Sequence, residues 1–202
     1  MKSTKRRAVR ADLVLRERSE AHMLKIRKYG EKVLRTKSQE VPVVTDALRT
    51  LADDMLKLMH EAQGVGLAAE QVGRTERLCV IDIPAGCDTV ENELFNAPVR
   101  MPLVMFNPRI ISSEGSQHDK EGCLSFPGVG GEVTRALQVT CQFLDADNNP
   151  QMVTARGFLA RAIQHETDHL DGVLYIDRMT AMERLLHATR LKKLLKTNGG
   201  VS

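Results

Sequence analysis

Gln164-His165-Glu166-Thr167-Asp168-His169 carries two histidines four residues apart, with a glutamate directly after the first. Residues four apart on a helix lie one above the other, so both imidazoles can reach one metal ion. Glu166 stands where its carboxylate can take a proton from water without being a ligand. This is the His-Glu-x-x-His spacing of metal-dependent hydrolases, although a polar surface helix with solvated histidines would also show it.

The residues around the motif predict that this helix is buried. Apolar side chains cover most of its circumference: Phe158, Leu159, Ala162, Ile163 and Leu170. Gly172 is the expected end of the helix. Burying histidines beside a glutamate is costly unless something satisfies them, and a metal ion does so. Phe158, Arg161 and Ala162 share the face of His165 by helical spacing, so we expect them to line the cleft beside the metal.

A catalytic metal site on two histidines needs a third protein ligand and an open position. Downstream candidates are poor: Tyr175 stands where a metzincin would have histidine, and Glu183 is explained by a capping box that begins at Thr180. Upstream, Cys123 stands alone between glycine-rich turns, the best setting among the four cysteines for an exposed thiolate. It could be a nucleophile, but a thiolate within reach of two metal-binding histidines would coordinate the metal instead.

The other three cysteines are not expected to have a catalytic or metal-binding role. Cys79 and Cys141 fall within predicted strands and are expected in the core, while Cys87 falls in a loop. There is no C-x-x-C pair, so a structural zinc cluster is not expected. We expect the thiols to be reduced.

The chain of 202 residues fits one domain with an extension. Residues 1–22 carry seven Lys/Arg and three Asp/Glu, which puts the basic balance of the chain in this segment. We expect residues 1–22 to be a solvated, disordered extension, with a nucleic-acid arm or an organelle transit peptide as the alternatives. Residues 23–202 are expected to form one domain, and no apolar run is long enough to cross a membrane.

Hydrophobic periodicity predicts the main elements. A helix should begin at Thr45 and stop at Gly64, and a last amphipathic helix should run over residues 180–196. Residues 85–101 are expected to be an irregular loop. The expected strands are residues 78–84, residues 103–113 with a break at Pro108, and residues 139–144 and 152–154 around a hairpin turn.

Gly64-Val-Gly-Leu-Ala-Ala-Glu-Gln71 is a segment of small residues just after a predicted helix. Its glycines allow close backbone approach, so an extended ligand could lie against it. It lacks the Gly-Lys-Ser/Thr of a phosphate-binding loop. Gln71 could direct an N–H at a carbonyl oxygen, but considered alone it is more simply a surface glutamine.

Three segments together resemble the peptide deformylases of the bacterial type, in the same order and at fitting separations. They are Gly64-Val-Gly-Leu-Ala-Ala-Glu-Gln71, Glu121-Gly-Cys-Leu-Ser125 and Gln164-His-Glu-Thr-Asp-His169. The likeness covers Met23 to about Lys196. One departure is that many members of this family carry an arginine where this chain has Gly130-Gly131, which leaves open how the residue after methionine is held.

The resemblance implies an α+β fold, with antiparallel or mixed β-sheets around a central helix that carries His-Glu-x-x-His, and with a C-terminal helix. It implies that Cys123, His165 and His169 are metal ligands and that Glu166 is the general base. Gln71 and the backbone N–H of Leu124 would be the donors to the carbonyl oxygen. The residues expected to bind substrate are Val65, Gly66, Gly122, Phe158 and Ala162.

The implied activity is removal of the N-formyl group from the formylmethionine of nascent polypeptides, with release of formate. The cofactor would be one divalent metal ion, usually Fe²⁺, with Zn²⁺, Ni²⁺ or Co²⁺ as substitutes. A transient ribosome contact and a cytoplasmic location are expected, without a membrane or sequence-specific nucleic acid as partner. The alternatives are a zinc endopeptidase and an inactive deformylase-like binding protein.

Overall fold

The computed structural model describes residues 24–198. The extension at residues 1–22 lies outside the described residues, so its predicted disorder stays a prediction. The expected α+β class is confirmed: two antiparallel sheets and several helices surround one central helix. Within residues 24–198, none of the helices combines the length and the apolar character that a membrane crossing requires.

The larger sheet has five strands in the order β1-β2-β3-β6-β7, and the smaller sheet pairs β4 with β5. All of these neighbours run antiparallel. The strands are β1 (Gly66–Ala68), β2 (Leu78–Ile81), β3 (Leu103–Glu114), β4 (Gln117–Gly122), β5 (Gly130–Arg135), β6 (Gln138–Leu144) and β7 (Pro150–Arg156). The predicted hairpin turn lies between β6 and β7 and is confirmed.

The central helix, α3, carries the two histidines and packs on one face of the larger sheet. The helices are α1 (Asp46–Glu61), α2 (Val90–Asn96), α3 (Gly157–Leu170), α4 (Tyr175–Arg178), α5 (Ala181–Leu186) and α6 (Ala188–Asn198). Short 3-10 turns cover Lys32–Arg35 and Ala69–Val72. Helix α1 begins as expected, since the side chain of Thr45 accepts a hydrogen bond from the backbone N–H of Leu48.

Helices cover both faces of the larger sheet, as the side chains of β2 illustrate. Cys79 and Ile81 belong to the core between the sheet and α3. Leu78 and Val80 belong to the core between the sheet and α1. Because side chains alternate along a strand, a strand buried on both faces is apolar at every position. The two hydrophobic cores thus attach α3 to one face of the sheet and α1 to the opposite face.

Two strand and loop predictions were wrong. Residues 85–101 contain helix α2, which is capped by Thr89 but buries no side chain fully, so it shows no apolar stripe. Pro108 does not break β3, which continues from Leu103 to Glu114. The pairing with β6 instead shifts register between Phe106 and Arg109, and this irregularity accommodates a proline that cannot donate to the ladder.

The expected helix over residues 180–196 is two helices: α5 ends at Leu186, His187 separates them, and α6 begins at Ala188. The break lets α6 turn Leu191 into a core cluster with Phe126 and Tyr175. On α5 the predicted apolar side chains are exposed instead of buried: Met182, Leu185 and Leu186.

Candidate active site

Helix α3 brings His165 and His169 together, with ring centroids 5.0 Å apart. Both rings are buried, as is Glu166 between them in the sequence. Gly172 adopts a positive φ of 71° directly after the helix, as the predicted helix end requires. The helix is therefore buried as expected, and its polar side chains need partners from the rest of the fold.

Cys123 reaches the two histidines from the turn that follows β4. Its Sγ lies 3.3 Å from Nε2 of His169. One donor atom from each of Cys123, His165 and His169 lies within 4.8 Å of the others. These three residues, which the motif and the resemblance predicted as ligands, are thus close enough to hold one metal ion.

Glu121 orients His165 from the opposite side of the ring. Its Oε2 lies 3.0 Å from Nδ1 of His165, so Nδ1 is engaged and Nε2 is left for a ligand. Arg135 and Arg161 hold Oε1 of Glu121 at 2.5 Å and 2.7 Å. Burial alone would raise the pKa of the Glu121 carboxyl, but the hydrogen bonds from His165 and Arg135 hold it well below its usual range. Glu121 is therefore a fixed anion on the side of His165 opposite the nitrogen that is left for a ligand.

The charges at this site favour a cation. Burial lowers the pKa of His165, but Cys123 and Glu121 outweigh burial and raise it to about 10. Burial lowers the pKa of His169, which keeps that imidazole neutral, as a ligand must be. Among residues 24–198, buried atoms without a hydrogen-bond partner include Oε2 of Glu166 and Nδ1 of His169. A thiolate and two imidazoles suit Fe²⁺, Zn²⁺, Ni²⁺ or Co²⁺, so the residues present fit a divalent transition-metal ion.

Gln71 is buried at the site, so its interpretation as a surface glutamine was wrong. Its Oε1 accepts the backbone N–H of Ala68 at 2.8 Å, which turns the amide nitrogen inward. That nitrogen lies 3.3 Å from Sγ of Cys123 and 3.2 Å from Oγ of Ser125. The side chain thus presents N–H groups beside the three possible ligands.

A cleft of about 690 Å³ opens onto this group of residues. Glu166 lies on its wall, and burial raises the pKa of that carboxyl to about 7. Gln71, Cys123, Leu124 and His165 also line it. The five residues expected to bind substrate are all on its wall: Val65, Gly66, Gly122, Phe158 and Ala162.

Sequence reasoning missed the buried charge network behind the three possible ligands. Arg135 joins Glu121 to Asp168, since its NH1 lies 2.8 Å from Oδ2 of Asp168. Arg161 lies on the cleft wall as expected, and its guanidinium also bonds Glu121 and the backbone oxygen of Val133. One signal was available: an arginine on the apolar face of a buried helix requires a buried anion.

Comparison with known proteins places the chain beside deformylases. The family model described as polypeptide deformylase matches residues 23–185. A peptide deformylase of Endomicrobium trichonymphae is 41% identical over 173 residues, which are 86% of this chain and 96% of that protein. A peptide deformylase of Xylella fastidiosa (strain M12) is 42% identical over 174 residues, covering 85% of this chain and 95% of that protein.

Solved structures agree with the sequence relatives. A plant peptide deformylase superposes with a TM-score of 0.78 at 32% identity, covering 87% of this chain and 91% of the other. A peptide deformylase of Synechococcus elongatus, solved in complex with actinonin, has a TM-score of 0.71 at 39% identity, with 88% and 89% covered. The family model spans most of the chain, and the alignments cover nearly the whole length of these relatives. The chain therefore belongs to the polypeptide deformylase family.

Proposed function

We propose that the protein hydrolyses the formamide bond of N-terminal formylmethionine on nascent polypeptides, releasing formate and a free amine. The observation that carries this proposal is that Glu166 and Gln71, on the wall of one cleft, lie beside the grouped donors of Cys123, His165 and His169. A general base, an amide donor and a metal site within reach of one bound carbonyl are the parts that amide hydrolysis requires.

Cys123, His165 and His169 would hold the metal ion, and Fe²⁺ is the ion we propose. When bound, a divalent ion supplies Lewis-acid chemistry and lowers the pKa of water towards ~7. Glu166 is not needed as a ligand, so its carboxylate is free to accept the proton of the attacking water. A pKa near 7 suits this role, because the group can accept and return a proton at neutral pH.

Glu166 then returns this proton to the departing amine as the bond between the formyl carbon and nitrogen breaks. Gln71 and the backbone N–H of Leu124 donate to the carbonyl oxygen as negative charge develops on it. Loss of a donor of this kind typically slows a reaction by ~10²–10³. The hydrogen bond that its Oε1 accepts from Ala68 holds the amide nitrogen of Gln71 at the site, where it now donates to Cys123 and Ser125. One of these N–H groups would turn to the substrate carbonyl when the substrate binds.

The peptide would lie along the edge of the larger sheet as an added strand. Strand β1 is at the end of the strand order, so Gly66 offers the peptide an open sheet edge, and Val65 and Gly122 line the same cleft. Phe158 and Ala162, on the first turns of α3, would contact the methionine side chain. A tight cleft selects formyl over larger acyl groups, because formyl carries only a hydrogen beyond its carbonyl.

The partner of the enzyme would be the nascent chain in the cytoplasm, reached by a transient ribosome contact. Exposed cations on α6, among them Lys192 and Lys193, suit an anionic ribosome surface, as do the basic residues of 1–22. Deleting residues 1–22 should leave turnover of a short formylated peptide nearly unchanged, since the site lies beyond Met23. Any effect of the deletion should appear with ribosomes and weaken with salt.

Two other functions lack support. An endopeptidase would need a ligand downstream of α3, but Tyr175 is buried and donates to the backbone oxygen of Val129. Glu183 accepts the backbone N–H of Glu132 at 3.2 Å and is not among the residues at the site. An inactive relative would lack a ligand or the base, and Cys123, His165, His169 and Glu166 are all present.

The test is an assay of formate release from formyl-Met-Ala-Ser, run beside acetyl-Met-Ala-Ser and unformylated casein. We expect formate from the first substrate, no acetate from the second and no cleavage of casein. Cleavage of casein without formate release would identify an endopeptidase. A metal-loaded protein that turns over none of the three substrates would identify a binding protein.

A further inference from the structure

The charged residues on the wall of the cleft divide into a buried set and a set that faces solvent. Glu121, Arg161 and Glu166 are buried. Lys28 is half-buried and Lys120 is exposed, so the charges that an arriving peptide meets first are positive. The mouth of the cleft is therefore positively charged, whereas the proposed metal site at its floor attracts cations.

Lys120 leans across the smaller sheet towards the cleft. On one face of this sheet, Lys120 and Gly122 of β4 are paired with Glu132 and Gly130 of β5. A Cβ placed on Gly130 would lie 3.3 Å from Cε of Lys120, so the lysine stem occupies the space of a side chain at position 130. The stem thus crosses diagonally over Gly130, and Lys120 contributes to the cleft wall.

The carboxylate nearest in register to Lys120 is engaged elsewhere. Oε2 of Glu132 lies 3.3 Å from Nε2 of His118, on the side of Lys120 away from Gly122. The same histidine places Nδ1 2.9 Å from Oγ1 of Thr134, which fixes its ring. Within residues 24–198, no carboxylate oxygen lies within 4.0 Å of the Lys120 ammonium. The cation is therefore available to a ligand in the cleft.

Lys28 adds a second cation that is held in place. Its Nζ donates to the backbone oxygen of Leu124 at 2.8 Å, next to the backbone N–H proposed to bind the substrate carbonyl. Both lysines line the cleft that a peptide beside β1 and Gly122 would occupy. Opposite charges near each other at a partly enclosed surface attract, and this attraction weakens with salt.

We propose that Lys120 makes this enzyme prefer formylated peptides that carry an acidic residue at either of the two positions after methionine. The proposal rests on the proposed deformylase function and specifies its substrate class. Gly130 is needed for this preference, because any larger residue at position 130 would displace the side chain of Lys120. Lys120 does not touch the reacting atoms, so its effect should fall on KM and leave kcat nearly unchanged.

The test compares formyl-Met-Ala-Ser, formyl-Met-Glu-Ser and formyl-Met-Lys-Ser at ~0.02 M and ~0.5 M salt. At low salt we expect kcat/KM for the glutamate peptide to exceed that for the lysine peptide by about fivefold, the scale of exposed charge pairs. Most of this ratio should disappear at high salt. In Lys120→Met the ratio at low salt should fall below about twofold, while the alanine peptide changes little.

Two further variants sharpen the result. Lys57→Met removes an exposed lysine of α1 that is not on the cleft wall, and it should leave the ratio as in the wild type. Glu132→Gln removes a nearby negative charge that repels the glutamate peptide and attracts the lysine peptide, so it should increase the ratio. Equal rates for the glutamate and lysine peptides in the wild type, or an unchanged ratio in Lys120→Met, would overturn this inference alone. Absence of formate from all three peptides would overturn the proposed function and this inference with it.

Discussion

Gly66 and Glu166 are packed so closely that no side chain fits between them. A Cβ on residue 66 would lie 2.8 Å from Cδ and 3.0 Å from Cγ of Glu166. Gly66 begins β1 and Glu166 lies on α3, so the contact joins the edge of the sheet to the central helix. The glycine therefore sets the position of the carboxylate that we propose as the base.

Gly66→Ala should displace this carboxylate while preserving the metal site and the fold. Its φ is not in the left-handed region, so alanine strains no backbone there. We expect a loss of about 10²-fold in kcat, at the lower end of what proton transfer contributes. The measurements are formate release, metal content and circular dichroism.

The control for Gly66→Ala is Glu166→Gln, alone and combined with it. Glu166→Gln should keep the metal and lose ~10²–10⁴ in rate. If Gly66 acts through Glu166, adding Gly66→Ala to Glu166→Gln should cost little more, because the two changes remove the same interaction. Additive losses, or a loss of metal in either variant, would contradict this relationship.

Glu70 predicts how stability depends on pH. Its side chain is fully buried with neither oxygen hydrogen-bonded within residues 24–198, and burial raises the pKa of its carboxyl from 4.5 to about 8. Between these values the folded protein keeps a proton that the unfolded chain loses, so stability falls as pH rises. Each pKa unit corresponds to ~1.4 kcal/mol, so the cost at pH 7 is about 3 kcal/mol.

Glu70→Gln should remove this dependence because the amide is neutral at every pH. In urea unfolding between pH 5 and 8, the unfolding free energy of the variant should rise relative to that of the wild type as pH rises. The relative gain should be about 2–3 kcal/mol at pH 7. Glu114→Gln, at an exposed site, controls for the change in net charge and should show no such trend. A constant difference between Glu70→Gln and wild type across this range would show that Glu70 ionises normally.

Asp88 caps the helix that carries the site, although it belongs to a different segment. Its Oδ2 accepts the backbone N–H of Phe158 at 2.6 Å, in the first turn of α3. An anion at a helix N-terminus also interacts favourably with the helix dipole. Asp88→Ala should cost about 1 kcal/mol of unfolding free energy and raise KM through Phe158, with Asp88→Asn less severe. Equal stability of wild type and Asp88→Ala in urea would mean that the contact contributes nothing.

The four cysteines should differ in their reaction with iodoacetamide. Cys87 is exposed and should be alkylated in every form, which makes it the internal control. Cys79 and Cys141 are buried in the core and should stay unmodified. Cys123 should be protected in the metal-loaded enzyme and react once a chelator removes the metal. Faster reaction of Cys123 in the active enzyme, together with a trappable formyl adduct, would instead indicate a nucleophile.

Sequence patterns predicted the parts of the site that are local. His165 and His169 are four residues apart, so their spacing alone places them on one face of the helix, with Glu166 directly after the first. Helix α1 was predicted for a similar reason, since its apolar residues repeat at helical spacing and Thr45 caps it. Cys123 was a candidate from its setting, but its approach to the histidines, like that of Gln71, was implied only by the resemblance, because the folded chain brings these residues together.

The parts that could not be predicted depend on contacts between distant residues. Glu121 meets Arg135 and Arg161, which are 14 and 40 residues away in the sequence. Helix α2 has no buried side chain and is held instead by polar contacts, such as those of Asn96 with the backbone of Arg156. Hydrophobic periodicity cannot reveal a helix that lacks an apolar face.

The central claim is that a thiolate and two imidazoles hold the metal on which turnover depends. It is tested most directly by measuring bound metal and formate release in Cys123→Ala, with Cys87→Ala as the matched cysteine control. We predict that Cys123→Ala loses most of its metal and, with it, its deformylation of formyl-Met-Ala-Ser, while Cys87→Ala retains both. Full metal occupancy and full activity in Cys123→Ala would contradict the account.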